Sequence, residues 1–181
     1  MSLRFILPLN LNCLGSSMKY FAYGSNMSIA RLKARVPSAV PLGCYRIKEH
    51  DLRFHKSSKD GSGKCDAFFT GNGVDVIFGA LFEINSSEKA VLDRAEGLGS
   101  GYDEKEITVI SEEGLSFKAI TYFATDINLN LKPYSWYLNH VLIGASETFL
   151  PNDYIQTKIT VVESIEDKDR ERDAEQRAIH S

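Results

Sequence analysis

The chain has 181 residues, 43% of them hydrophobic, enough to bury one domain of common size. A formal net charge of −3, with no basic stripe interleaved with aromatics, gives no electrostatic basis for binding nucleic acid or an anionic membrane, so small molecules or protein are the expected partners. Cys13, Cys44 and Cys65 are an odd, widely spaced set with neither zinc nor redox-pair spacing, which fits a reducing cytoplasm.

The chain opens with the apolar run Phe5-Ile6-Leu7-Pro8-Leu9, but Asn10 and Asn12 interrupt it short of a signal-peptide core or a membrane span. Met18 lies directly before an aromatic strand expected over 19–23, so residues 1–17 read as an extension outside the domain. That strand breaks at Gly24 into a turn, and a helix is expected over 28–35, with Ile29, Leu32 and Val36 at helical spacing and Pro37 as its stop. A turn that feeds a helix N-terminus presents unpaired N–H groups and the positive end of a dipole. Tyr23-Gly24-Ser25-Asn26 therefore reads as an anion cradle, in which Gly24 lets a ligand approach the backbone with no Cβ in the way.

Residues 45–55 read as one strand or two, and 56–63 as a polar loop. Strands at 66–70 and 76–84 flank Gly71-Asn72-Gly73, whose Asn-Gly step predicts a hairpin between them. Asn85-Ser86-Ser87-Glu88 is a helix-start signal of capping-box form, and the helix should run to about Ala95 and stop at Gly97, leaving Glu96 at its C-terminal end. Strands at 106–110 and 117–123 surround the turn Glu113-Gly114. A helix over 134–144 follows Pro133, and 153–159 is a short helix or strand. Past Ser164 charges of both signs dominate, and 164–181 reads as a frayed or solvated helical tail, leaving 18–163 as the domain. Short strands with helices between hairpins predict an α+β domain on an antiparallel, barrel-like sheet.

Few residues offer chemistry. Gly61-Ser62-Gly63-Lys64-Cys65 lacks the earlier glycine and the Ser or Thr after lysine that a phosphate loop needs. His50 and His55 are spaced poorly for one metal ion and read as solvated or locally bonded. Glu96 stands apart. A carboxylate at a helix C-terminus meets the negative dipole end, and if it also faces a partly apolar pocket both effects raise its pKa toward that of a general base. The plain alternative is an exposed glutamate in a last turn.

Three ordered blocks resemble the gamma-glutamylcyclotransferase family: Tyr23 to Asn26 after an aromatic strand; Leu92-Asp93-Arg94-Ala95-Glu96-Gly97 followed by Tyr102; and Tyr137 through Gly144-Ala145 to Leu150-Pro151 and Tyr154. Together they span 18–159. The resemblance implies a small, mixed, mainly antiparallel β-barrel with helices around it. It implies Glu96 as acid/base, the loop backbone of Tyr23, Gly24, Ser25 and Asn26 as substrate holder, Tyr137 as an aromatic wall with a hydroxyl, and Tyr102 nearby at a slightly shorter spacing than in some members. It implies a small-molecule γ-glutamyl substrate and chemistry without metal or cofactor. The glutathione-specific branch carries Leu where Asn26 stands, which argues against glutathione. A non-catalytic binding domain on the same fold is the competing expectation, and a homodimer is left open, with Tyr134-Ser135-Trp136-Tyr137 as one aromatic segment able to serve it.

Overall fold

The computed structural model describes residues 15–181; the expected 1–17 extension lies mostly outside the described residues. Five strands close a barrel in the order β1-β5-β2-β6-β7: β1 (Ser17–Ala22), β2 (Val40–Lys48), β5 (Val76–Asn85), β6 (Tyr102–Ile110) and β7 (Ser116–Ala124). Every pairing is antiparallel except β1 with β7, which run parallel at Tyr20 and Ile120. β3 (His50–Ser57) and β4 (Gly63–Phe69) form a separate two-stranded arm. The α+β class and the barrel thus agree with expectation.

β5 is the central staple. It pairs with β1 on one side and β2 on the other, and Ile77, Ala80, Leu81, Phe82 and Ile84 are all buried along it, a near-continuous apolar run because both faces are covered. Phe21 of β1 is fully buried in the same core, a side chain whose burial contributes about 1.5–3 kcal/mol. Ser17 already pairs with Asn85, so the first barrel strand begins inside the segment expected to lie outside the domain.

Among the described residues five α-helices surround the barrel: α1 (Ile29–Lys33), α2 (Lys89–Glu96), α3 (Ser135–Glu147), α4 (Asn152–Tyr154), which continues as a π-helical turn over Ile155–Thr160, and α5 (Arg170–Ala178). Residues 153–159 are thus helical. Asn85 caps the 3-10 turn Ser86–Glu88 that leads into α2, its Oδ1 accepting from Ser87 N at 3.0 Å. Glu88 completes the cap through an intermediary: its carboxylate accepts from Ser38 Oγ, and Ser38 Oγ in turn accepts from Asn85 N at 2.8 Å. Gly97 ends α2 in the left-handed conformation at φ 75°, which a Cβ would strain.

Two expectations fail. The strands on either side of Asn72-Gly73 do not pair with each other, since β4 pairs with β3 while β5 sits between β1 and β2. The turn chemistry itself is present: Asn72 O accepts from Asp75 N at 3.0 Å, and Asn72 Oδ1 from Val74 N at 3.3 Å. Its partner is Glu49 O, which accepts from Thr70 N at 2.8 Å and ties the end of β4 to the β2–β3 turn. An Asn-Gly step fixes a local turn, while strand partnership is settled by barrel closure.

The C-terminal segment is not a solvated tail. Asp167 is 1% exposed and accepts from Trp136 Nε1 at 2.8 Å and from Arg172 Nε and a terminal nitrogen, each at 2.6 Å. Further along, His180 Nε2 lies 2.6 Å from Nδ1 of the fully buried His140, and Gln176 Oε1 accepts from Arg31 at 2.6 Å. The arginine beside Asp167 holds its carboxyl well below the usual carboxylate range. A carboxyl depressed on folding stabilises above its unfolded pKa, and that contribution fades as pH falls toward the folded value. Asp167→Ala strands the buried indole N–H and should cost on the order of 2 kcal/mol, read as a Tm lower by several degrees at neutral pH. An unchanged Tm would show the tail to be loosely held.

Within Tyr134-Ser135-Trp136-Tyr137, Trp136 and Tyr137 are buried in the core, while Tyr134 and Ser135 are partly exposed.

Candidate active site

α2 delivers Glu96 as its last residue, at the helix end where the dipole opposes a carboxylate. The turn after β1 delivers Asn26, which is 3% exposed. These two side chains, distant in sequence, meet: the Asn26 amide donates one hydrogen to Glu96 Oε1 and the other to Tyr20 Oη at 3.2 Å. The amide is oriented by Arg35, just beyond α1, which donates to Asn26 Oδ1 at 3.0 Å and stands 3.9 Å from Glu96 Oε1. Burial pushes the Glu96 carboxyl above the usual carboxylate range, while the charges of Arg35, Arg31 and Lys56 and the Asn26 hydrogen bond pull the other way.

The remaining wall is tyrosine. Tyr102 Oη donates to the Cys65 carbonyl at 2.5 Å, and Tyr137 Oη accepts from the Cys65 N–H at 3.0 Å, so the two phenols bracket one residue of β4. Tyr23 Oη donates to Tyr122 O at 2.6 Å, and Tyr122 Oη to Asp93 Oδ1 at 2.6 Å on the helix that carries Glu96. Burial raises the pKa of Tyr20, Tyr23, Tyr102 and Tyr137, keeping them neutral donors at physiological pH. Burial also pushes the Cys65 thiol up to about 12, which removes it as a thiolate nucleophile. Together these groups line a cavity of about 30 Å³, with Glu96 and Gly24 to Asn26 among its walls. The larger cavity, about 640 Å³, lies among Leu42, Tyr45, Phe78, Ile110 and Phe149 and does not include Glu96. Size does not make it the reactive site, since its carboxylates, Glu112 and Glu113, stand on the exposed β6–β7 turn.

The sequence-based anion cradle is corrected in two respects. Gly24 does not clear a path for a ligand: a Cβ there would stand 2.9 Å from Cys65 Cβ and 3.2 Å from Tyr137 Oη, so its smallness serves close packing of the turn on β4. The N-terminus of α1 is also in use. Glu147 Oε2 accepts from Ile29 N at 2.8 Å, and Ser28 Oγ from Arg31 N at 3.3 Å, on a helix of only five residues. Gly24, Ser25 and Asn26 line the cavity, and their backbone N–H groups make no hydrogen bond among the described residues.

Sequence reasoning did not name Tyr20, Arg31 or Arg35. The signal for the arginines was Arg31 and Arg35 four apart on one helical face, within reach of the preceding turn. Arg31 holds Ser25 Oγ at 3.2 Å. His50 and His55 are bonded but not solvated: His50 Nδ1 lies 2.6 Å from Lys48 O, and His55 Nε2 lies 2.8 Å from Asp66 Oδ2, both rings being buried. Asp66 also accepts from Ala124 N at 2.7 Å, fixing the arm that carries Cys65 to the barrel.

The fold and site define a class: a small closed barrel in which a helix-end carboxylate is set against a carboxamide-bearing turn and a ring of tyrosines. The AIG2-like family matches residues 76–157. Gamma-glutamylcyclotransferase of Bos taurus is 34% identical over 82% of this chain and 80% of its own length, and that of Homo sapiens 32% identical over 81% and 79%. A solved gamma-glutamyl cyclotransferase superposes with a TM-score of 0.79 at 28% identity, over 90% of this chain and 99% of that one. The chain belongs to the gamma-glutamylcyclotransferase family.

Proposed function

We propose that this chain cyclises a small-molecule γ-glutamyl amide to 5-oxoproline and releases the free amine, with Glu96 moving the proton. The observation that carries the reading is the Asn26–Glu96 contact, which sets the half-buried carboxylate of the cavity, its pKa raised, against the turn. The substrate supplies its own nucleophile. Its α-amino nitrogen attacks the γ-carbonyl carbon, the C–N amide bond breaks, and the electron pair leaves on the departing nitrogen. Holding the chain in a folded near-attack conformer supplies much of the rate, because the reaction is intramolecular. Glu96 takes a proton from the α-ammonium and returns it to the departing amine. N–H groups of Gly24, Ser25 and Asn26 receive an anionic oxygen of the substrate, and Tyr102 and Tyr137 form the opposing wall. No helix of the described residues is long and apolar enough to cross a membrane, and a cytoplasmic setting fits the free thiols of Cys44 and Cys65.

The direct test is 5-oxoproline formation from a panel of γ-glutamyl amides; absence of product from every member would leave only a binding role. The pH dependence carries a second expectation. Glu96 accepts a proton only when ionised, so kcat/KM should fall on the acid side of a pKa above the usual carboxylate range. Arg35 lowers that pKa, so Arg35→Met should move the acid limb to higher pH. A limb that stays in place, or moves down, would contradict the role of Arg35.

A further inference from the structure

Arg31, on α1, is a buried guanidinium held by three neutral groups. It is 8% exposed and forms no ion pair among the described residues. Its Nε donates to Ser25 Oγ at 3.2 Å, on the turn that lines the Glu96 cavity. Its Nη1 donates to Gln176 Oε1 at 2.6 Å and to His140 Nε2 at 3.2 Å. A guanidinium only donates, so His140 must accept at Nε2 and carry its hydrogen on Nδ1, which lies 2.6 Å from His180 Nε2. Burial and the Arg31 charge keep this histidine neutral, its pKa lowered to about 3.

One side chain of α1 thus joins α3, α5 and the substrate turn. The same donor-only chemistry acts at the turn: Ser25 Oγ accepts from Arg31 and keeps its own hydrogen for another acceptor. Fixing the guanidinium therefore fixes both the place of Ser25 and the directions in which its hydroxyl can donate. A buried charge with no carboxylate beside it depends on its hydrogen bonds. The shortest of the three is made by Gln176 of α5, a helix whose own position is set by the Asp167–Arg172 pair and by Asp169 at its cap.

We propose that Gln176 is a positioning residue for the reaction: through Arg31 it holds the Ser25 hydroxyl at the cavity, so that the C-terminal helix completes the substrate-binding turn. The assignment rests on the cyclotransferase reading. Gln176 does not line the cavity, and its effect passes through Arg31 and Ser25.

The test measures kcat and KM for 5-oxoproline release from γ-glutamyl-alanine by the full chain. Gln176→Met keeps the length of the side chain but removes the acceptor, and should raise KM roughly 3–10-fold, the range of one lost hydrogen bond, with kcat little changed. Gln176→Glu, which retains an acceptor oxygen, should keep KM near the wild-type value. In a Ser25→Ala background, where Arg31 has no hydroxyl to hold, Gln176→Met should raise KM no further. A KM unmoved by Gln176→Met would overturn the assignment. So would an equal rise with and without the Ser25 hydroxyl, which is what a general loosening of α5 produces, or a Gln176→Glu variant as impaired as Gln176→Met. If wild type releases no 5-oxoproline from any γ-glutamyl amide of the panel, the cyclotransferase reading fails and takes the assignment with it.

Discussion

Glu96→Gln should lower kcat by about 10²–10⁴-fold, the usual contribution of a positioned general acid/base, while leaving substrate binding measurable. Gln keeps the shape and can still accept from the Asn26 amide, so the loss isolates proton transfer. The same variant should be no less stable than wild type at neutral pH. A carboxyl whose pKa is raised on folding stabilises the fold below its unfolded value of about 4.3, and that contribution is lost as pH rises through the folded pKa. At neutral pH an ionised, half-buried Glu96 is therefore a net cost that Gln removes, and the Tm of the variant should match or exceed that of wild type. A marked fall in Tm would mean that the activity loss reports unfolding and that Glu96 is structural.

Gly144→Ala should have the largest effect on the fold. Gly144 lies in α3 against the turn after β1, and a Cβ there would stand 2.4 Å from Ser28 N and 2.5 Å from Met27 C and Cβ. Backbone atoms cannot rotate out of the way, so α3 and the turn must part. Overpacking of this kind costs about 1–3 kcal/mol. The displaced segment directly follows Asn26, so activity should fall more than stability alone explains, with KM rising as the Gly24 to Asn26 donors shift. Thermal melts and a full kcat and KM determination on the folded fraction would separate the two effects. Unchanged kinetics would show that the turn tolerates movement.

Much of the architecture was readable because local chemistry and tertiary role coincide there. Asn85 and Gly97 bound the helical segment that ends in α2, in sequence and in space, and the Glu113-Gly114 turn joins β6 to β7 as expected. The misreadings arise where distant contacts decide. The Asn72-Gly73 turn forms, but barrel closure gives β5 to β1 and β2. The charged C-terminal run looked solvated because its anchors are elsewhere, Trp136 for Asp167 and His140 for His180. Arg172, Gln176 and His180 do recur every four residues, a docking face visible in the sequence once partners are known. At the site, the turn and Glu96 were identifiable as separate pieces. The family resemblance implied a pocket between them, but the direct contact was not legible, since it depends on the Asn26 side chain and on Arg35 behind it, whereas sequence reasoning assigned the turn a backbone role only.

In the proposed reaction the substrate's own amine, not water, opens the amide bond, with Glu96 carrying the proton. Turnover of a γ-glutamyl amide in ¹⁸O-labelled water, with mass analysis of the acyl product, tests it most directly. The expected product is 5-oxoproline without label, because the γ-carbonyl oxygen is retained and no water enters. Glutamate carrying ¹⁸O in its side-chain carboxyl would identify a hydrolase and contradict it.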